Sequence, residues 1–170
     1  MNTKIYKHVH SLAKDLMQAV HRKNQIRFDE CYAELKKVCE DNESSDKDHP
    51  VQWETLADFT DDLELAISIY DKALVKAEAI NSKDFLSSIA FSIASLQIEL
   101  GDKASAIEHL KNAKINSNKI ADKDLKAEIS DLLEELGVVT EVAEIVEVPE
   151  VPEVAEVKEV PKKLKEWKDL

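Results

Sequence analysis

The sequence is short of the residues that interrupt helices. Its 170 residues include two glycines and four prolines, and three of the prolines, Pro149, Pro152 and Pro161, lie near the C-terminal end. The first 136 residues therefore hold one of each, Pro50 and Gly101. A stretch nearly free of both, and rich in Ala, Leu, Glu, Lys and Ile, is expected to be helical throughout. No Asn-Gly or Asp-Gly separates alternating apolar runs, so hairpins are not expected there. Two glycines also leave no room for a Gly-rich phosphate loop. The two cysteines, Cys31 and Cys39, form no CxxC motif. Eight residues apart on one helix, their α-carbons would lie about 12 Å apart, too far to bridge. They read as small buried apolar residues in a reducing compartment. No apolar run approaches the length of a membrane span, and the opening MNTKIYKHVHSLAKDL lacks the apolar core of a signal peptide. A cytoplasmic location without membrane contact is the expectation.

Chemistry-bearing constellations are equally scarce. The five histidines are His8, His10, His21, His49 and His109. His8 and His10 would point about 200° apart on a helix, and no HExxH or Cys-His zinc spacing exists. Cys31 falls on an apolar face, which argues against a nucleophile. Abundant Asp and Glu on amphipathic helices read as solvated faces. No enzyme, metal or cofactor is expected. The net charge of −12 argues against general nucleic-acid binding. The charge is uneven, since residues 1–27 carry Lys4, Lys7, Lys14, Arg22, Lys23 and Arg27 against Asp15 alone. That end could meet an acidic partner or simply be a solvated helix face.

What is present is helical periodicity. Ile5, Val9, Leu12, Leu16 and Val20 recur three and four apart, predicting a helix over about 3–23 with these residues on one face. Cys31, Tyr32, Leu35, Val38 and Cys39 predict a second over about 28–40. The polar loop DNESSDKDHP follows. Pro50 suits the first position of a short third helix, capped by Asp48 or His49. The fourth covers about 61–80, with Leu63, Ala66, Ile67, Tyr70, Ala73, Leu74 and Ala77 in one broad stripe and Asp61 and Asp62 at its positive end. The fifth, about 83–100, is apolar or small nearly all round, which predicts burial on several sides. Gly101 ends it. Asp102 and Asp122 cap a sixth helix over about 102–118 and a seventh over about 123–136, and Gly137 ends the last.

A shift of 40 residues without gaps aligns Asp62 with Asp102, Ala66 with Ala106, Ile67 with Ile107, Ala73 with Ala113, Ile80 with Ile120, Asp84 with Asp124, Ile89 with Ile129 and Leu96 with Leu136. Tyr70 with Leu110, Val75 with Ile115, Phe85 with Leu125 and Ile93 with Leu133 are conservative matches. The stretch IASLQIELGDKASAIEHLKNA, residues 93–113, resembles the tetratricopeptide repeat. Ile93 and Ala94 match its large-small pair, Gly101 and Asp102 its turn, Ala106 and Ile107 its Ala-Ile pair, Leu110 its large position and Ala113 its last small one. Ala66, Ile67, Tyr70 and Ala73 match the same positions one unit earlier, preceded by Trp53, Leu56 and Ala57. The Pro usual after the second helix is missing, and the period exceeds the common 34. Residues 3–40 could be a third, degenerate pair. The resemblance implies an all-α, short right-handed α-solenoid of about seven helices over residues 1–136. Stacked pairs would bury a continuous core, with the last helix as a cap whose Glu128, Asp131, Glu134 and Glu135 face outward.

From Thr140 the pattern changes to a triplet, TEV-AEI-VEV-PEV-PEV-AEV-KEV-P, acid then β-branched at every third place. Three residues per turn is the polyproline II period, so residues 137–161 read as an acidic, disordered spacer reaching roughly 60 Å over 20 residues. Residues 162–170, KKLKEWKDL, are basic, with Leu164, Trp167 and Leu170 three apart. They read as a terminal linear motif, a fold-back segment or a frayed end.

The expectation is a protein- or peptide-binding adaptor. The groove implied by the resemblance would run along the first, third and fifth helices, with Lys4, Lys7, Gln97, Leu164, Trp167 and Leu170 as candidate contacts. The carboxylate clamp of some family members is not carried over, because the fifth helix offers Ser and Gln97 instead of Lys and Asn. Two alternatives are a self-associating subunit docking through its tail, and a regulator contacting nucleic acid through its basic first helix.

Overall fold

The computed structural model describes residues 3–138; the triplet spacer and the Leu164, Trp167 and Leu170 motif lie outside the described residues. Among the described residues there are seven helices and no strand: α1 Thr3–His21, α2 Gln25–Asn42, α3 Pro50–Asp58, α4 Leu63–Ala79, α5 Lys83–Glu99, α6 Lys103–Ser117 and α7 Lys123–Glu135. None is long and apolar enough to cross a membrane.

The helix starts follow from short polar side chains placed one residue ahead of each run. Asp62 accepts from the Leu65 amide at 2.8 Å and Asp102 from the Ser105 amide at 3.1 Å. Asp122 accepts from both Asp124 and Leu125. Such side chains satisfy amide donors that the first helical turn cannot pair internally. Asn24 does the same for Arg27, so α2 begins at Gln25, three residues before its apolar rhythm. Of the two candidate caps for α3, His49 takes the position, with Nδ1 accepting from the Val51 amide at 3.3 Å.

Asp48 instead becomes a hub. Its carboxylate accepts from Trp53 Nε1 at 2.7 Å, from Gln52 Nε2 and from the Ser44 amide, and pairs with Lys76 Nζ at 2.8 Å. Burial alone would raise its pKa, but the Lys76, Trp53 and Ser44 bonds outweigh this and hold it below the usual carboxylate range. One side chain thus ties the α2–α3 loop to α3 and α4. Lys72 Nζ covers the Trp53 ring 4.6 Å from its centroid and bonds Glu43 at 2.9 Å.

Gly101 and Gly137 end α5 and α7 with φ of +83° and +76°, the left-handed conformation a side chain resists. Asn81 makes the corresponding turn after α4 at φ +50° without a glycine.

The core has two parts that meet at α5. Leu86, Ile89 and Ile93 join Val9, Leu12, Leu16, Leu35, Trp53, Leu56 and Tyr70 in the first. Ala90 and Ala94 join Ala106, Leu110, Ala113, Leu125, Ile129 and Leu133 in the second. The expected burial of α5 on several sides is therefore seen. Its fully enclosed large residues face one way and its buried alanines the other, where α6 approaches closely. Each fully buried Ile or Leu contributes roughly 1.5–3 kcal/mol. Cys31 and Cys39 are both fully buried and unbridged. Burial raises both thiols, Cys39 up to about 12, and the Cys39 thiol donates to the Gln52 carbonyl at 3.2 Å.

One face is rotated from expectation. Val20 is 59% exposed, and Ala13 and Ala19 are buried in the stripe with Val9, Leu12 and Leu16. After Leu16 the chain can continue the stripe at either the third or the fourth residue. The small Ala19 lets α2 come close at the turn, and Val20 is displaced to the rim of a concavity of about 360 Å³ with Phe28 and Asp61.

The 40-residue shift maps the start of α4 onto that of α6 and the start of α5 onto that of α7. Burial recurs at the same offset: Ala66 and Ala106, Tyr70 and Leu110, Ala73 and Ala113, Ile89 and Ile129, and Ile93 and Leu133 are all buried. Ile67 and Ile107 are half-buried on the flanks, while Ile69 enters the core. Val75 and Ile115 match in exposure too, at 59% and 63%. Each helix packs on its sequence neighbours, and α3 additionally touches both α1 and α5.

Candidate functional site

Glu54 and Asp58 stand four residues apart on α3 and so share one face of that helix. Ser88 and Ser92 stand four apart on α5, and Tyr70 comes from α4. The structure joins these five side chains into two rungs. Ser88 Oγ donates to Glu54 Oε1 at 2.6 Å, and its hydroxyl also lies 3.4 Å from the Phe85 carbonyl. In the second rung Tyr70 Oη donates to Asp58 Oδ1, with the Ser92 hydroxyl beside the phenol. The ladder thus links α3 to α5 through Ser88 and α3 to α4 through Tyr70. Among the described residues neither carboxylate forms an ion pair.

The electrostatics follow from that placement. Burial pushes the Glu54 carboxyl up to about 7; Asp58 adds to the rise and the Ser88 bond opposes it. Burial likewise raises Asp58, against the Tyr70 bond. Burial, then the Asp58 charge, raises the Tyr70 phenol. Asp58 nonetheless remains exposed by surface area, Glu54 is half-buried and Tyr70 is buried. A side chain that solvent reaches while protein fills most of its surroundings sits in a concave wall. Asp58 is therefore the wet end of the ladder, where solvent screens its charge.

The equivalent seam 40 residues on carries no such ladder. Glu54, Asp58, Tyr70 and Ser92 correspond to Ala94, Ile98, Leu110 and Leu132. Those four are buried or packed against the second core. Stacking a helix on this scaffold therefore does not require the polar groups.

The residues singled out from sequence fall elsewhere. Lys4 and Lys7 lie exposed on α1. Gln97 is half-buried and its Oε1 meets His109 Nδ1 at 2.9 Å, tying α5 to α6. Leu164, Trp167 and Leu170 are outside the described residues. Of the basic N-terminal set, Arg27 is taken up by Asp15 at 2.8 Å and by Glu30. Glu128, Asp131, Glu134 and Glu135 are all exposed on α7, as expected. Among the described residues no group of three or more His, Cys, Asp or Glu side chains is placed to hold a metal. The ladder escaped the sequence reading. Its only local trace is two pairs at helical spacing, Glu54 with Asp58 and Ser88 with Ser92, on helices whose adjacency was not used.

Comparison with protein-family models, with curated proteins and with solved structures found no match to this chain.

Proposed function

We propose that this chain is a protein- or peptide-binding adaptor built as a short, right-handed stack of tetratricopeptide-like helix pairs, with the groove running along α1, α3 and α5. One observation carries the reading: under the 40-residue shift the starts of α4 and α5 fall on those of α6 and α7, and the buried positions recur with them. A unit of two helices that repeats its cap and its buried small residues is built to stack on its own kind. The contacts of α3 with both α1 and α5 fit first helices lined up along one surface. Such a surface recognises an extended or helical segment of a partner by shape and by a few polar groups. Glu54, Asp58, Ser88 and Ser92 are polar groups available between α3 and α5.

The test is recovery of partners on the intact chain, followed by affinity measurement with the purified partner. Ser88→Glu, in the α3–α5 wall, is expected to weaken binding by about tenfold or more, whereas Val75→Lys and Ile115→Lys, on the outer faces of α4 and α6, leave it within about twofold. The reverse pattern would move the interface to the second helices and end the groove reading.

A further inference from the structure

The Glu54 rung has a property that the rest of the core lacks. Its geometry accommodates the carboxyl in either protonation state, but not with equal energy. When Glu54 is ionised, the Ser88 hydroxyl must donate to it, as the 2.6 Å contact allows. When Glu54 is neutral, its own O–H can donate to Ser88 Oγ, freeing the Ser88 proton for the Phe85 carbonyl at 3.4 Å. The neutral form thus gains a second hydrogen bond. The ionised form faces the Asp58 carboxylate one turn away, and like charges at that spacing are destabilising.

Among the described residues no ion pair compensates the Glu54 anion. From α4 the titratable group facing this cluster is Tyr70, an O–H donor to Asp58 rather than a cation. From α5 come Ser88 and Ser92. From α1, His8 turns to Glu34 and Asp15 to Arg27, and from α2, Cys39 meets the Gln52 backbone. Lys72 and Lys76 are engaged by Glu43, Trp53 and Asp48. At the start of α3, His49 is held below its ordinary value by burial, against Asp48. The matching positions Ala94, Ile98, Leu110 and Leu132 are apolar, and the position matching Ser88 is the exposed Glu128.

We propose that Glu54 is a protonation-dependent latch on the α3–α5 seam, which closes when the carboxyl is neutral and hydrogen-bonded through Ser88, and loosens when it is ionised beside Asp58. The latch makes the wall between the two helices respond to pH near neutrality, independently of what that wall binds.

Carbon-detected NMR titration of the Glu54 carboxyl in the intact chain is the direct test. A midpoint near 7 is expected, following burial and the Asp58 charge, and a midpoint in the ordinary carboxylate range would overturn the proposal. Denaturation midpoints at constant ionic strength, from about pH 5 to about pH 8.5, form the second arm. The wild-type midpoint should fall as pH rises, and the fall should be largely absent in Glu54→Gln. Parallel slopes in the two proteins would sink the latch even if Glu54 titrates high. If Glu54→Gln does not fold, amide hydrogen exchange in α3 and α5 of the wild-type chain decides it: exchange should quicken across the Glu54 midpoint, and unchanged rates would refute the coupling.

Discussion

The seam formed by α3, α4 and α5 and the seam formed by α5, α6 and α7 are built to one pattern and filled differently. Both place an aspartate cap at the start of the second helix and alanines at 66 and 73 or 106 and 113 where neighbouring helices approach. The first seam then sets Glu54, Asp58, Tyr70 and Ser92 where the second sets Ala94, Ile98, Leu110 and Leu132. Burying carboxyl groups costs stability unless they are well paired. The apolar version of the seam shows that the scaffold closes without them. The polar seam is therefore better explained by what it can respond to than by what it holds together.

The largest effect should come from breaking the apolar seam. Leu110 is fully buried in the second core. Leu110→Ala is expected to cost about 2–5 kcal/mol in chemical denaturation, through lost burial and the cavity left behind. A loss below about 1 kcal/mol would mean that α6 is not packed as described.

The polar seam should answer in the opposite direction. A carboxyl whose folded pKa is raised above its ordinary 4.5 to about 7 binds its proton more tightly in the folded state. Its unfavourable contribution is absent below pH 4.5, grows as pH rises to about 7, and is constant above that. Glu54→Gln should therefore leave stability nearly unchanged in acid and gain on the order of 2 kcal/mol at alkaline pH. A gain of equal size at every pH would trace to packing instead of charge.

The caps test whether the two seams are equivalent where they look equivalent. Asp62→Ala and Asp102→Ala should each lower the thermal midpoint, and by the same amount within error, because each cap accepts from the amide three residues on. A clear inequality would show that tertiary contacts, and not the local bond, set the worth of one of them. The smallest effect concerns α5 and α7. Ser82 caps α5 without a side-chain bond, whereas Asp122 caps α7 with two. Ser82→Asp is expected to raise stability by about 0.5–1 kcal/mol, read as a small rise in the thermal midpoint.

Much of the fold was legible in the residues themselves. Asp62, Asp102 and Asp122 marked helix starts, Gly101 and Gly137 marked ends, and the three-four rhythm marked most of the buried faces. These signals act over four residues or fewer, so a linear reading reaches them. Elsewhere tertiary contacts decided between local alternatives. Periodicity allows either Ala19 or Val20 on the buried face of α1, and only the approach of α2 decides for Ala19. Asp48 and His49 were equivalent cap candidates until Trp53, Ser44 and Lys76 claimed Asp48. Gln97, a candidate for partner contact, is engaged by His109.

What the sequence by itself determined is therefore, over the described residues, an all-helical fold of seven segments with a 40-residue recurrence, because capping, glycine conformation and amphipathic spacing are local. Only the tertiary structure decided which side chains of α3 and α5 meet. Glu54 and Ser88 are 34 residues apart, and nothing in either helix alone marks them as partners. Their meeting depends on two helices turning the same face inward, and the low polarity of that meeting place converts an ordinary glutamate into one that titrates near neutral pH.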